Sequence, residues 1–377
     1  NTANDMRDER GVLLDELAKI VNIFTREKDD GRIDVLVGSD VLIDGNIAEV
    51  LEAIPNPALD PVRNDLVEVR FVRNGQLITP SGGELFGALE MRDVALVKVQ
   101  TEINTLSATI IEQLNSIHTQ GMGLVNYTGT RTSSNPVSDP TLALSAAGLP
   151  FGVTPGSFDI HVYDESTSPP TPVGGSPVTI NIAAATTMND LVAQLGAVPN
   201  ISANVDANGY LNVTAAAGFS FSNANDSSNV LAAIGLNTLF TGYNAQSMGV
   251  NQDIIDNVQL LASRFSTNPA DTGDNSAALA MADIQNQKIL GGNLVTINDF
   301  YESTVVLIGI EARANENQLL VEQTFTDNLD RRRQALSGVS IDEEVTLLIQ
   351  FQRAFEASAR VVSVTDRMLD ALFAMAR

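Results

Sequence analysis

The chain has 377 residues, no cysteine or tryptophan, and 46 Asp and Glu against 22 Lys and Arg, for a net charge of −24. That length supports two or three domains with real cores. The charge repels nucleic acid and anionic lipid, so neither is expected as a partner, and the missing cysteines exclude disulfides, thiolate metal sites and thiol nucleophiles. No apolar run approaches the ~18 residues of a membrane span, so no membrane insertion is expected. A cysteine-free chain suits export in the unfolded state and refolding without disulfide errors. There is no signal peptide, but the chain opens at Asn1 without a methionine, so a preceding segment is expected.

In chain order, Val12, Leu13, Leu17, Ile20 and Val21 fall at helical spacing, which predicts a helix from Asp5 to Val21. Asp30-Gly31 and Asn74-Gly75 stand between alternating apolar residues and predict two hairpins, making residues 22–80 a β-ribbon unit interrupted by the loop Pro55 to Pro61. Leu85, Leu89, Leu96, Val99, Ile103, Leu106, Ile110 and Ile117 keep a 3–4 spacing through one long predicted helix, Glu84 to His118, with a coiled-coil-like or bundle seam.

After Tyr127 the composition turns to Ser, Thr, Gly, Pro, Asn and Ala. "GSFDIHVYD" and "PVTINIA" alternate like strands, "SANVDANGYLNVTA" reads as a hairpin turning at Asn208-Gly209, and "TMNDLVAQLGAV" and "NVLAAIGL" read as short helices. After Gly249 helical patterns return: a short one at "NQDIIDNVQLLAS", another opening at Asp274 or Asn275 as N-cap, and a proline-free stretch from Asn298 to Leu336. The fold class expected is a multidomain α+β protein. Residues 1–126 and 250–377 form a discontinuous long-helix bundle carrying the ribbon, and 127–249 is an inserted β-rich domain.

The last helix starts with Ser340 and Glu343 at capping-box spacing, and Asp342, Glu343 and Glu344 meet the positive end of its dipole. Ile341, Val345, Leu348, Phe355, Ala359, Val362, Leu369 and Phe373 form one apolar stripe, and Leu347, Phe351, Ala354, Val361, Met368, Leu372 and Met375 form a second. Two stripes suit a helix clasped between others. Either the helix is buried in the bundle of its own chain, or one stripe waits for another chain or for the preceding segment.

Catalytic and metal patterns are missing. His118 and His161 stand in no zinc-ligand spacing, "GGSPV" fails as a nucleophile elbow, no phosphate-binding glycine loop occurs, and "DANG" at Asp206 lacks the later acidic ligand of a calcium loop. The acidic run at Asp342 is explained by helix capping. No enzyme activity, metal or cofactor is expected.

Ser337-Gly338-Val339, Ile341-Asp342-Glu343-Glu344, Leu348-Ile349, Phe351-Gln352, Ala354-Phe355 and Ala357-Ser358-Ala359-Arg360-Val361 resemble the C-terminal helix of the flagellar axial proteins. "RDERGVLLDELAKIVNI", "GGELFGALEMRD…NSIHTQG", "GDNSAALAMADIQ" and "INDFYESTVVLIG" extend the likeness over both helical parts, and "DSSNVLAAIGLNTLFTG" carries it more loosely into the middle. The resemblance implies a structural subunit that is exported unfolded, assembles as a ring and joins hook to filament. It implies an extracellular location on the bacterial flagellum. The implied partners are copies of the chain itself, hook protein, hook-associated protein 3 and a flagellar export chaperone. Ile341, Val345, Leu348, Phe351, Phe355, Val362, Leu369 and Leu372 are the implied assembly interface, with Ser340 and Glu343 as the helix cap. Another axial subunit, such as hook-associated protein 3 or a flagellin-like one, is the alternative within the family; outside it, a secreted adhesin or glycan-binding module is.

Overall fold

The computed structural model describes residues 2–55, 66–268, 271, 273–337 and 341–375. They divide into two compact units, Asn1–Thr304 and Val305–Arg377. The first opens with helix α1 (Thr2–Ile20) and the strands β1 (Phe24–Glu27), β2 (Ile33–Val37), β3 (Asp40–Asp44) and β4 (Ile47–Ala48), which pair in that order as an antiparallel ribbon. Strands β5 (Leu51–Pro55) and β6 (Val67–Phe71) pair beside it. The turn at Asn74-Gly75 forms as the sequence predicts, with Gly75 N–H donating to Phe71 O at 2.8 Å, and the returning chain pairs with β6 through a single bridge, Arg70 to Leu77. Val21, Val37, Leu42, Phe71 and Ile78 make a small core there. A buried carboxylate also ties the ribbon: Asp34 takes Lys28 and Arg26, each at 2.8 Å. The hydrogen bonds from Lys28 and then Arg26 hold its carboxyl well below the usual range.

The long predicted helix is present but not uniform. It runs as α2 (Gly83–Glu90), a π-helical turn (Met91–Ala95) and α3 (Leu96–Gln120). Only its last part is buried, at Ile111, Asn115, His118 and Thr119. The seam expected along its first half is only partly covered: Leu85, Leu89 and Val99 are half-buried, and Leu96 and Ile103 are exposed.

The β-rich part contains β7 (Tyr127–Thr128), β8 (Thr130–Thr132), β9 (Gly156–Asp164), β10 (Thr171–Pro172), β11 (Val178–Ile182), helix α4 (Met188–Gly196), β12 (Ile201–Val205), β13 (Leu211–Ala215), β14 (Phe219–Ala224), helix α5 (Val230–Ile234), β15 (Phe240–Thr241) and β16 (Gly249–Val250). One sheet runs β10-β9-β14-β7, with β11 also on β9; a second runs β12-β13-β8; β15 and β16 pair alone. Phe158, Ile160 and Val162 of β9, Leu211 and Val213 of β13, and Met188, Leu191 and Leu195 of α4 meet in the main core. Helix α4 starts at a capping box in which Thr187 and Asp190 satisfy each other's backbone N–H. The β12–β13 hairpin turns at Asn208-Gly209 as predicted. Gly209 sits at φ 89, and a Cβ there would lie 2.3 Å from Val137 O, so glycine is required twice over. Asp206 accepts from the N–H of Asn208 and Tyr210 at 2.8 and 3.0 Å, which makes it a turn residue.

Past β16 come α6 (Gln252–Asp256) and α7 (Ser276–Asp283), then α8 (Ile297–Ser337) and α9 (Ile341–Met375). The residue that satisfies the start of α7 is Asp274, which accepts from Ser276 N–H at 2.9 Å and from Ser266 N–H at 3.0 Å. Those bonds hold its carboxyl down at about 2.

The two passages that lead into and out of the β-rich part run side by side. Met122 N–H donates to Arg264 O at 2.8 Å, Leu124 N–H to Gln259 O at 2.7 Å, and Ser263 N–H back to Met122 O at 3.1 Å. His118 clamps the same place: its Nδ1–H donates to Asn237 O at 2.9 Å and its Nε2 accepts from Ala262 N–H at 3.0 Å. One neutral imidazole thus ties the end of α3 to the β-rich part and to the outgoing passage. Helix α3 packs on α5 and on α7 as well. The passages approach so closely that a Cβ on Gly123 would lie 2.5 Å from Gln259 O. Two outcomes are expected. Gly123→Val lowers unfolding stability by about 1–3 kcal/mol in denaturant melts, because the packed passages leave no room. Gly174→Ala, with nothing near its added methyl, leaves stability unchanged.

Burial lowers the His118 pKa to about 4. The unfolded chain then binds a proton that the folded one refuses between about pH 6.5 and 4, so stability falls as pH drops through that window, by about 3 kcal/mol for this group. His118→Asn is expected to cost stability at pH 7 and to have a shallower loss between pH 7 and 4 than the parent. Parallel slopes in the two chains would show that His118 does not carry the acid sensitivity.

Candidate assembly interface

The second unit consists of helix alone: the larger part of α8, and α9. The residues of α9 form helix for local reasons. Its interior has no Gly or Pro from Ile341 to Met375, and its first turn carries Asp342, Glu343 and Glu344. The Ser340 half of the predicted capping box lies outside the described residues, as do Gly338 and Val339; Glu343 sits in the first turn of α9.

Every described side chain of α9 is exposed. The interface residues Val345, Leu348, Phe351, Phe355, Val362, Leu369 and Leu372 all face solvent, Phe351 at 73% and Phe355 at 75% relative exposure. The side chain of Ile341 lies outside the described residues. Among the described residues, both stripes are thus exposed along α9. A fully buried Phe or Leu stabilises by roughly 1.5–3 kcal/mol relative to an exposed one, and each of these residues forgoes that gain. Apolar faces of this length on a soluble chain mark an interaction surface.

Helix α8 also carries exposed apolar side chains, and the sequence reading did not single it out. Val305, Val306, Ile310, Leu319, Leu320, Val321, Phe325 and Leu329 are all exposed. The signal was the unbroken helical run from Asn298 to Leu336, whose apolar residues were read only as bundle-forming. Residues Val12, Leu13 and Ile20 of α1 add a third exposed apolar helix.

His118 has both ring nitrogens engaged in the backbone. His161 is buried in β9, stacked on Tyr163 at 6.4 Å, with burial pushing its pKa down. Among the described residues, no three His, Asp or Glu side chains gather as a metal site, and no helix is long and apolar enough to cross a membrane.

Three family models match in succession: the flagellar hook-associated protein FlgK helical domain over residues 1–132, the flagellin hook IN motif over 157–217, and the flagellar basal body rod FlgEFG protein C-terminal over 333–375. Flagellar hook-associated protein 1 of Salmonella typhimurium is 24% identical over 387 aligned residues, covering 98% of this chain and 64% of the relative. That of Escherichia coli is 25% identical over 384, with the same coverage. That of Bacillus subtilis is 37% identical over 98 residues, which cover 26% of this chain and 19% of the relative. The flagellar hook junction protein FlgK from Burkholderia pseudomallei aligns with a TM-score of 0.46 at 13% identity, over 89% of this chain and 79% of that one. The chain thus spans just under two thirds of the length of the enterobacterial relatives. The last model falls on α9, the first covers α1 to β8, and the relatives align across nearly all residues between. The chain is thus similar to flagellar hook-associated protein 1 across nearly all of its length.

Proposed function

We propose that the chain is a structural subunit of the bacterial flagellum, placed outside the cell where hook meets filament. Copies assemble as a ring, with hook protein on one side and hook-associated protein 3 on the other, after a flagellar export chaperone has delivered the unfolded chain. Its work is mechanical, and no catalytic step or resident cofactor enters it. The observation that carries this reading is the pair of uncovered apolar stripes on α9. Within the ring, one stripe packs on the helices of the same subunit and the other on a neighbour or on a helix preceding Asn1. The helical parts 1–126 and 250–377 then act as one domain from which 127–249 projects. The paired passages at Met122–Arg264 and the packing of α3 on α7 support that division.

Phe355→Asp tests the interface. Losing a packed Phe costs about 3–5 kcal/mol, and an unpaired buried carboxylate adds several more or must take up a proton. Because Phe355 is exposed in the single chain, the variant should fold with an unchanged far-UV circular dichroism spectrum. In cells, hooks should form while filament subunits leak into the medium, and Glu356→Asp, off the stripes, should be silent. Full-length filaments on Phe355→Asp cells would refute the interface.

Hydrogen exchange gives a second measure. Helices without tertiary cover open readily. Amides of 341–375 should exchange orders of magnitude faster than those of β12 and β13 in the free chain, and should become protected on assembly. Limited proteolysis addresses the domain scheme: a resistant fragment containing 127–249 is expected, whereas first cuts within Glu84 to His118 would contradict it.

A further inference from the structure

The sheet β10-β9-β14-β7 has a second, polar face. Strand β9 sends Phe158, Ile160 and Val162 to the core, and His161 and Tyr163 to the opposite side, where Met122 and Ala224 pack on Tyr163. A cleft of about 480 Å³ opens there, lined by Leu124, Val125, Asn126, Tyr163, Pro170 and Arg264. That volume is in the range of small-ligand sites.

Arg264 is the unusual member. It is 5% exposed, and its backbone is fixed by Met122. Its Nη1 donates to Asn268 O, its Nε finds no hydrogen-bond partner, and among the described residues no carboxylate pairs with it. His161, opposite Ser222 on the same sheet face, also has a buried ring nitrogen, Nε2, without a partner. A buried cation without an anion is costly, and a guanidinium matches a carboxylate in a planar, two-bonded fork. In a chain of net charge −24, a buried arginine with no ion pair among the described residues stands out.

We propose that this cleft receives an acidic peptide segment, with one Asp or Glu carboxylate seated on Arg264. A peptide fits better than an acidic sugar. Sugars stack on open aromatic faces, and the Tyr163 ring is 2% exposed and stacked on His161. Leu124, Val125 and Pro170 give apolar walls for flanking side chains, and the Asn126 and Asn257 amides line the same cleft to meet a peptide backbone. Glu165, which accepts from Ser220, stands at the rim and favours a ligand with a single carboxylate.

The test is calorimetric titration of the full chain with acetyl-Ala-Glu-Ala-amide, its Gln counterpart and glucuronate. The Glu peptide should saturate at millimolar or lower concentration, and the Gln peptide should bind at least ~10-fold more weakly, the difference between a charge-assisted pair and a neutral one. Arg264→Gln should abolish the preference. Asn126→Asp, which adds a like charge to the wall without changing its shape, should weaken the Glu peptide several-fold and decides the matter if Arg264→Gln does not fold. Equal affinity for both peptides, no saturation by the Glu peptide, saturation by glucuronate alone, or an unaltered Asn126→Asp chain would each overturn the proposal.

Discussion

The architecture depends on a short stretch of paired backbone. Where residues 122–124 pass 259–264, four backbone hydrogen bonds and the His118 imidazole join two passages that are far apart in sequence. Helix α3 ends against this junction, α7 packs on α3, and the β-rich part hangs from it. Small residues make it possible: Gly121 and Gly123 let the backbones approach, with Ala262 and Ala277 as their neighbours. Few side chains are involved, so backbone hydrogen bonds rather than buried area hold the junction together.

Packing in the chain is uneven. The β-rich part has a dense core of Phe, Ile, Leu and Val. The long helices leave many apolar side chains exposed. For the proposed ring subunit, a self-sufficient core and surfaces for assembly would occupy separate parts of the sequence. A net charge of −24 keeps free copies apart while the stripes remain uncovered.

Much of this was legible because the local signals are strong. The Asn-Gly and Asp-Gly turns, the helix at Met188, the proline-free run of α8 and the ending of α9 all stand in the sequence as predicted. What could not be read were pairings between distant segments. Nothing in the spacing announces that β8 joins β13, that β5 meets β6 across eleven residues, or that His118 reaches Ala262. The long helix misled differently. Its 3–4 spacing is real, but the first half covers that seam only partly, with Leu96 and Ile103 exposed, and a π turn interrupts it at Met91–Ala95. Periodicity reports that a face is apolar; it does not say whether the partner belongs to the same chain. The buried Arg264 was invisible for the same reason, since burial of a lone arginine is a tertiary fact.

The junction has a bearing on how the chain acquires its shape. His118 meets residues 119 and 144 positions away. An unstructured segment as long as the one between Leu124 and Gln259 would hold its ends roughly 60 Å apart on average, whereas the folded junction holds them at 2.7 Å. Closing so long a loop directly is slow, and it becomes local only once the intervening strands have condensed and drawn their ends together. The order of events is thereby set by topology: the β-rich part forms first, the passages zip next, and α3 is anchored last.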